Sequence, residues 1–497
     1  MSSTLKKALI YFILVTFLFL FFSYRLLDVP KNLTLDEEGF GYNAVLLGET
    51  LRDETGRFLP IFALSLDNRD YRQPIAQYYQ VLFFKVFGAS VYNFKFTSVT
   101  IIVLSAVLIF ILGKLLFNLK AAIFSTLFFI STPVIMIHSH LGLDNIYPIP
   151  FILIWLITFY KYEKSKSLKY LIISGASLGV AFYAHKSMRS ASTLWSVLTV
   201  CYLFYLSHNQ FKNNFVSSFR NSFKPILFFI IGIAPFFMIS PILDNKYGGA
   251  VFGFQNLNVP FYHFMASYLN SFDPSFLFVK GDAILHHSTG KHGVFLLAGL
   301  PLFLSGLYQF LKDKNRFLLL IVISFFIGPL FLGFIGATNR ASRLIFLVPL
   351  YSIIAGYGTY FLYTKIGKKL LVKFFAAVFI LLFLLNLGDF LNYYWFKYGD
   401  ETYHIFYHLD REEKYKSFYE EANSRKLEPY FYKDITVPEG DEKYNDLFLR
   451  SIYFPVPNYL SDELALPSDG ILFSATNSLK SLKLVKSSKD GSVFIKQ

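Results

Sequence analysis

The chain has 497 residues, of which 54% are hydrophobic and 20% aromatic, while only 16% are charged. A soluble protein carries about 25% charged residues, and 60 Phe with 34 Tyr would leave large apolar patches in water. Disordered, collagenous, coiled-coil and disulfide-stapled classes are excluded, the last by the single Cys201, and a multi-pass membrane protein remains. The formal charge of +14 lies in short loops between apolar runs, which marks topology and not a nucleic-acid surface.

A helix crossing the hydrocarbon needs about 20 apolar residues. Eleven segments qualify, at about 8–27, 93–117, 121–138, 146–160, 169–185, 190–207, 223–243, 293–311, 317–336, 343–364 and 371–392. The first has a long aromatic core and no small-residue cleavage site, so it reads as a retained anchor. If the spans alternate, six short loops on one side hold Lys6, Lys7, Lys114, Lys120, Lys161, Lys164, Lys166, Lys169, Lys212, Arg220, Lys224, Lys312, Lys314, Arg316, Lys365, Lys368, Lys369 and Lys373. The positive-inside rule then puts the N-terminus in the cytoplasm and the C-terminal tail outside. Three outer segments exceed simple turns: about 28–92, about 244–292 and 393–497. In the first, Val45, Leu46, Leu47 and Leu51 suggest a short helix on the membrane. In the last, 401–430 reads as amphipathic helix, and 447–497 as short strands with a turn at Lys489–Asp490–Gly491. The domains are thus 1–392, membrane-embedded, and 393–497, a small soluble α/β domain.

Ionisable groups at the membrane boundary are costly and mark function. Asp36, Glu37 and Glu38 form three carboxylates in a row after the first span. They suit a general base or a divalent-metal ligand, or else a solvated loop. Asp70 lies among alternating charges before an apolar helix at Tyr78–Phe87. Asp144, near His138 and His140, is a helix N-cap or a site acid. Lys186, Arg189, Arg340 and Arg343 are outer cations, either snorkelling or gripping a lipid phosphate. His286, His287 and His292 have no standard metal spacing and read better as a solvated loop. Acids and bases from distant segments therefore converge on one membrane face.

Asp36–Glu37 after the first span, followed by Tyr42 to Gly48 and Gly56–Arg57–Phe58–Leu59–Pro60, resembles the first outer loop of the GT-C glycosyltransferases. The likeness is to family 39, the protein O-mannosyltransferases and the aminoarabinose transferases. Arg72–Gln73–Pro74–Ile75–Ala76–Gln77–Tyr78–Tyr79, running on to Phe87–Gly88, is similar to another stretch of that family, with Gln73 where the family has the first of two prolines. Asp144, Gly293 through Leu307 and Arg343 through Gly356 are similar to further family positions. The resemblance covers about 8–390; the C-terminal piece carries no assignable motif.

The resemblance implies an all-α polytopic membrane protein of GT-C type, with about 11 transmembrane helices, outer loop helices and the small C-terminal domain. It implies inverting transfer of a sugar from a polyprenyl-phosphate carrier, in the membrane, to a protein, lipid or glycan acceptor on the outer face, with no nucleic-acid partner. Asp36 would be the general base and Glu37 its partner. Asp70, Asp144, Lys186, Arg189, Arg340 and Arg343 would bind substrate. A divalent metal ion is the expected cofactor, with Glu37 and Asp70 as its ligands. The competing reading is a transporter or flippase of lipid-linked glycans, which would carry charged or broken helices at mid-membrane; the spans show few.

Overall fold

A computed structural model describes residues 3–210, 214–253, 259–313, 315–335, 339–366, 370–406, 412–435, 439–488 and 491–496. Lys212, Lys314, Lys368, Lys369 and the Lys489–Asp490 pair lie outside the described residues, as do the side chains of Lys6 and Lys7. The chain forms two compact units. One comprises Met1–Leu26, Gln73–Ala76 and Lys95–Glu401; the other comprises Leu27–Arg72, Gln77–Phe94 and Thr402–Gln497.

The first unit is helical, and the apolar runs are the reason. Each of the eleven expected segments overlaps a helix, from Ser3–Ser23 to Leu370–Tyr393, although 24–27 and 293–296 are not helical and position 336 lies outside the described residues. Among the described residues six helices are long and apolar enough to cross a membrane unaided. The expected span at 121–138 is bent by 61° between Leu119–Ile130 and Pro133–Ser139. Pro133 has no N–H to offer the Phe129 carbonyl, which accepts from the Thr132 N–H, while the hydroxyls of Ser131 and Thr132 donate to the Phe128 carbonyl. Close helix crossings rest on small residues. A Cβ on Gly175 would lie 2.3 Å from the Phe229 carbonyl, and one on Gly232 would lie 2.2 Å from that of Ile172. Those glycines let Lys169–Ala184 and Phe215–Lys246 touch backbone to backbone. Helix Leu370–Tyr393 buries only Phe390 and Tyr393. An apolar cleft of about 810 Å³ runs beside it, walled by Phe17, Phe21, Phe128, Phe375, Phe379 and Phe383. The protein is a multi-pass membrane protein.

In the second unit, helix Leu35–Thr50 packs on helix Glu442–Tyr453, with the Phe448 ring against Gly41. Val45 and Leu47 are buried there and not laid on lipid. Strands Ala63–Ser65 and Asp70–Arg72 form an antiparallel hairpin in which Ser65 faces Asp70. Its turn holds Leu66, Asp67 and Asn68, all with positive φ. The C-terminal residues build a five-stranded mixed sheet. Glu428–Tyr432 runs parallel to both Asn458–Leu460 and Gly470–Ser474, and the last two strands, Leu482–Ser488 and Gly491–Lys496, are antiparallel. Phe418, Phe431, Phe454 and Phe473 fill the space between sheet and helices. Two local expectations are corrected: 447–453 is the end of a helix, and Glu428–Tyr432 is a strand. Both segments bury one side only, and short half-buried runs do not separate the two periods.

Candidate active site

The acidic tripeptide is the first turn of helix Leu35–Thr50 and not a solvated loop. Thr34 is the N-cap and Glu37 completes a capping box. The Glu37 carboxylate accepts from the Thr34 backbone N–H at 2.9 Å and from its hydroxyl at 3.1 Å. Acids in a first turn also complement the helix dipole. Glu37 and Glu38 are fully buried, whereas the Asp36 side chain keeps 59% of its exposure.

The hairpin supplies the countercharge. Asp70 and Arg72 are two residues apart on one strand and so share a face. The Arg72 guanidinium, 2% exposed, lies 2.9 Å from Asp36 Oδ1 and 3.5 Å from Asp70 Oδ2. Its plane rests 4.8 Å from the Phe40 ring centroid. Gly39 makes the room: a Cβ there would sit 2.5 Å from an Arg72 nitrogen and 2.6 Å from Ser65 Oγ. Behind it, Glu54 accepts from Asn43 Nδ2 at 3.0 Å and Ser65 Oγ at 3.3 Å. Burial raises the Glu54 pKa above the usual carboxylate value, against its hydrogen bonds and the pull of Arg72. Glu54 had no sequence motif to announce it.

These contacts decide the metal question for the expected ligand pair. Glu37 is spent on the helix cap, and Asp70 on Arg72 and the Tyr71 N–H. Among the described residues no group of three or more His, Cys, Asp or Glu is gathered as a metal site. Glu37 and Asp70 do not fit a divalent ion.

The first unit holds a second polar cluster at one end of its helices. Asp144 opens the short turn before helix Pro148–Ser165, and its carboxylate is 3.9 Å from His185 Nε2. The N-cap of that turn is Leu143, so Asp144 is its first residue and not its cap. Asn145 Nδ2 donates to the Ser342 carbonyl at 3.3 Å, and His185 Nδ1 meets Ser187 Oγ at 2.7 Å. His138 and His287 stack with ring centroids 5.1 Å apart and share a 3.2 Å nitrogen–nitrogen contact. Because His138 Nδ1 donates to the Val134 carbonyl, His287 must donate from Nδ1. The solvated-loop expectation for the outer histidines is thus corrected: His286 and His287 are half-buried, and His292 meets Thr289 and Asp389. Spacing along the chain carries no trace of a partner 149 residues away.

The four outer cations divide. Arg189 is 3% exposed and its guanidinium donates to the Val251 carbonyl and to Gln73 Oε1, both at 2.7 Å. Both acceptors belong to the protein, and Gln73 makes the second of these bonds from the position where the resemblance has a proline. Arg340, 39% exposed, is 3.9 Å from the buried Asp282, which also accepts from the Ala341 and Ile284 N–H groups. Burial raises the Asp282 pKa. Arg343 lies in the field of Arg340 and Asp282, and one of its guanidinium nitrogens is buried without a hydrogen-bond acceptor among the described residues. Lys186 is half-buried beside His185.

Residues 72–188 match the family model of dolichyl-phosphate-mannose-protein mannosyltransferase. That stretch includes Arg72, Gln73, Asp144, His185 and Lys186. Over the whole chain, the fold is similar to ArnT from Cupriavidus metallidurans bound to undecaprenyl phosphate. The two are 12% identical, with 97% of each chain covered and a TM-score of 0.55. The apo state of ArnT gives 11% identity, 98% coverage of each chain and 0.51. This chain carries the GT-C fold. The GT-C resemblance read from the sequence therefore holds at the level of architecture. An Archaeoglobus fulgidus oligosaccharyltransferase lies further off, at 13% identity, 91% and 65% coverage and a TM-score of 0.48. No curated protein matches the chain in sequence.

Proposed function

We propose that this protein moves a sugar from a polyprenyl-phosphate carrier to an acceptor hydroxyl on the outer membrane face, with inversion at the anomeric carbon. The observation that carries the reading is the buried Arg343 nitrogen that has no acceptor among the described residues, next to Arg340. A buried donor left unpaired is costly, and a phosphate oxygen satisfies it in the geometry guanidinium prefers. The 810 Å³ apolar cleft offers the same unit a place for a prenyl chain. ArnT, with the same fold, binds undecaprenyl phosphate.

In this reading Asp36 takes the proton of the acceptor hydroxyl. The freed oxygen attacks the anomeric carbon as the bond to the phosphate oxygen breaks, and that electron pair leaves with the polyprenyl phosphate. Arg340, Arg343 and Lys186 receive the growing negative charge, so no separate acid is needed. Arg72 and Asp70 hold the Asp36 carboxylate in place, Asp144 orients its histidine neighbour, and Glu37 fixes the helix start. The Lys-rich short loops put the N-terminus in the cytoplasm and the C-terminal residues outside.

The test is transfer of radiolabel from a polyprenyl-phosphate sugar into membrane extract by wild type and Asp36→Asn. A positioned base contributes about 10²–10⁴ in rate, so the variant should lose at least about a hundredfold. Equal turnover removes Asp36 from the mechanism.

A further inference from the structure

We infer that a polar pocket at the opposite end of the first unit's helices holds the head group of a phospholipid that carries both a phosphate and a primary ammonium. Helices Pro148–Ser165 and Met188–Gln210 begin beside Asp144 and His185 and end at this pocket. With 18 residues in the shorter helix, at a rise of about 1.5 Å each, the pocket lies about 27 Å from the Asp144–His185 cluster of the same unit. It measures about 380 Å³ and is lined by Glu163, Lys166, Gln210, Asn221 and Arg316, with Leu203 and Leu206 as an apolar wall.

The charges in it do not cancel one another. Glu163 accepts from the Tyr202 hydroxyl at 2.9 Å. Lys166 lies over the Tyr162 ring at 5.7 Å, and Arg316 over the Tyr205 ring at 5.4 Å. Among the described residues no ion pair within 4.0 Å joins Glu163 to either cation. A simple anion would meet Glu163, and a simple cation would meet Lys166 and Arg316. A ligand with both charges satisfies the two poles, the phosphate at Arg316 and Lys166 and the ammonium at Glu163. The pocket stands at the ends of apolar spans, among the short basic loops, where lipid head groups lie. Position and the Leu203–Leu206 wall therefore favour a lipid over a soluble compound.

Native mass spectrometry of the purified full chain, titrated with phosphatidylethanolamine, phosphatidylcholine and phosphatidylglycerol, tests this without any sugar donor. Wild type should retain phosphatidylethanolamine about tenfold better than the other two, the factor one charge-assisted hydrogen bond supplies. Glu163→Gln should abolish that preference, and Arg316→Gln should weaken all three. Arg316 and Lys166 are exposed, so a Lys166→Gln/Arg316→Gln variant retains its fold and tests the phosphate arm even where Glu163→Gln does not fold. Equal retention of the three lipids by wild type, binding unchanged in the doubly substituted protein, or displacement of the lipid by an equal concentration of free phosphoethanolamine would each overturn the inference.

Discussion

Gly39→Ala is the sharpest perturbation of the Asp36 neighbourhood, because it changes no charge and adds one methyl. The added carbon would stand 2.5 Å from an Arg72 nitrogen and 2.6 Å from Ser65 Oγ. Ordinary contact requires about 3.5 Å, so the guanidinium must retreat by about 1 Å. It is 2% exposed, stacked on Phe40 and tied to Asp36 at 2.9 Å, so a retreat of that size breaks the pair. Overpacking of this kind costs about 1–3 kcal/mol, and a 1 Å misplacement of reacting groups costs about 10² in rate. The matched control is Gly48→Ala on the same helix, where the nearest atom to the new carbon is Lys85 Cε at 3.5 Å. That change should leave turnover intact and stabilise the helix by about 0.5–1 kcal/mol. The assay is label transfer from a polyprenyl-phosphate sugar, with a melting curve for each variant. Wild-type turnover by folded Gly39→Ala would refute the argument that Arg72 positions Asp36.

Further outcomes follow from the same contacts. Glu37→Gln keeps the capping box, so transfer should stay near the wild-type rate; a hundredfold loss would return Glu37 to the chemistry. Arg343→Gln should raise the KM for the lipid donor about tenfold, the worth of one hydrogen bond to a charged group, and an unchanged KM would clear Arg343 of phosphate binding. Burial keeps His287 well below its usual value, while unfolded histidine titrates near pH 6.5. The unfolded chain therefore takes up a proton that the folded chain refuses: stability is full above about pH 6.5 and falls as pH drops below it. Melting curves in detergent at pH 7.5 and pH 5 should show it, and a melting point that does not fall would contradict it.

The apolar runs made the helices legible, because a membrane span is written as uninterrupted hydrophobicity in a single stretch of chain. The 61° bend at Pro133 was less so, since the break depends on how the carbonyls around it find new partners, here the Thr132 N–H and the Ser131 and Thr132 hydroxyls. The Thr34-to-Glu37 capping box was a readable signature that the weight given to three adjacent acids obscured. Asp36 and Arg72 stand 36 residues apart in a chain whose pairing is set by the hairpin register, and Arg72 was visible only as the start of a motif. The fate of Arg189 needed Gln73 and Val251, and that of His287 needed His138. In each case chemistry-bearing residues were recognisable by type, while their partners came from contacts that no local pattern encodes. In the C-terminal residues, short half-buried strands and helices alternate within a few residues, and there the two periodicities are hardest to separate.

The most direct measurement places the purified protein in sealed vesicles of one orientation and supplies a radiolabelled polyprenyl-phosphate sugar with acceptor to either leaflet. Label should leave the lipid and enter the acceptor, inverted at the anomeric carbon, when both substrates share the face opposite the lysine-rich loops. Label that crosses the bilayer still attached to its prenol, with nothing passed to acceptor, would mean the protein moves the lipid and does not break it.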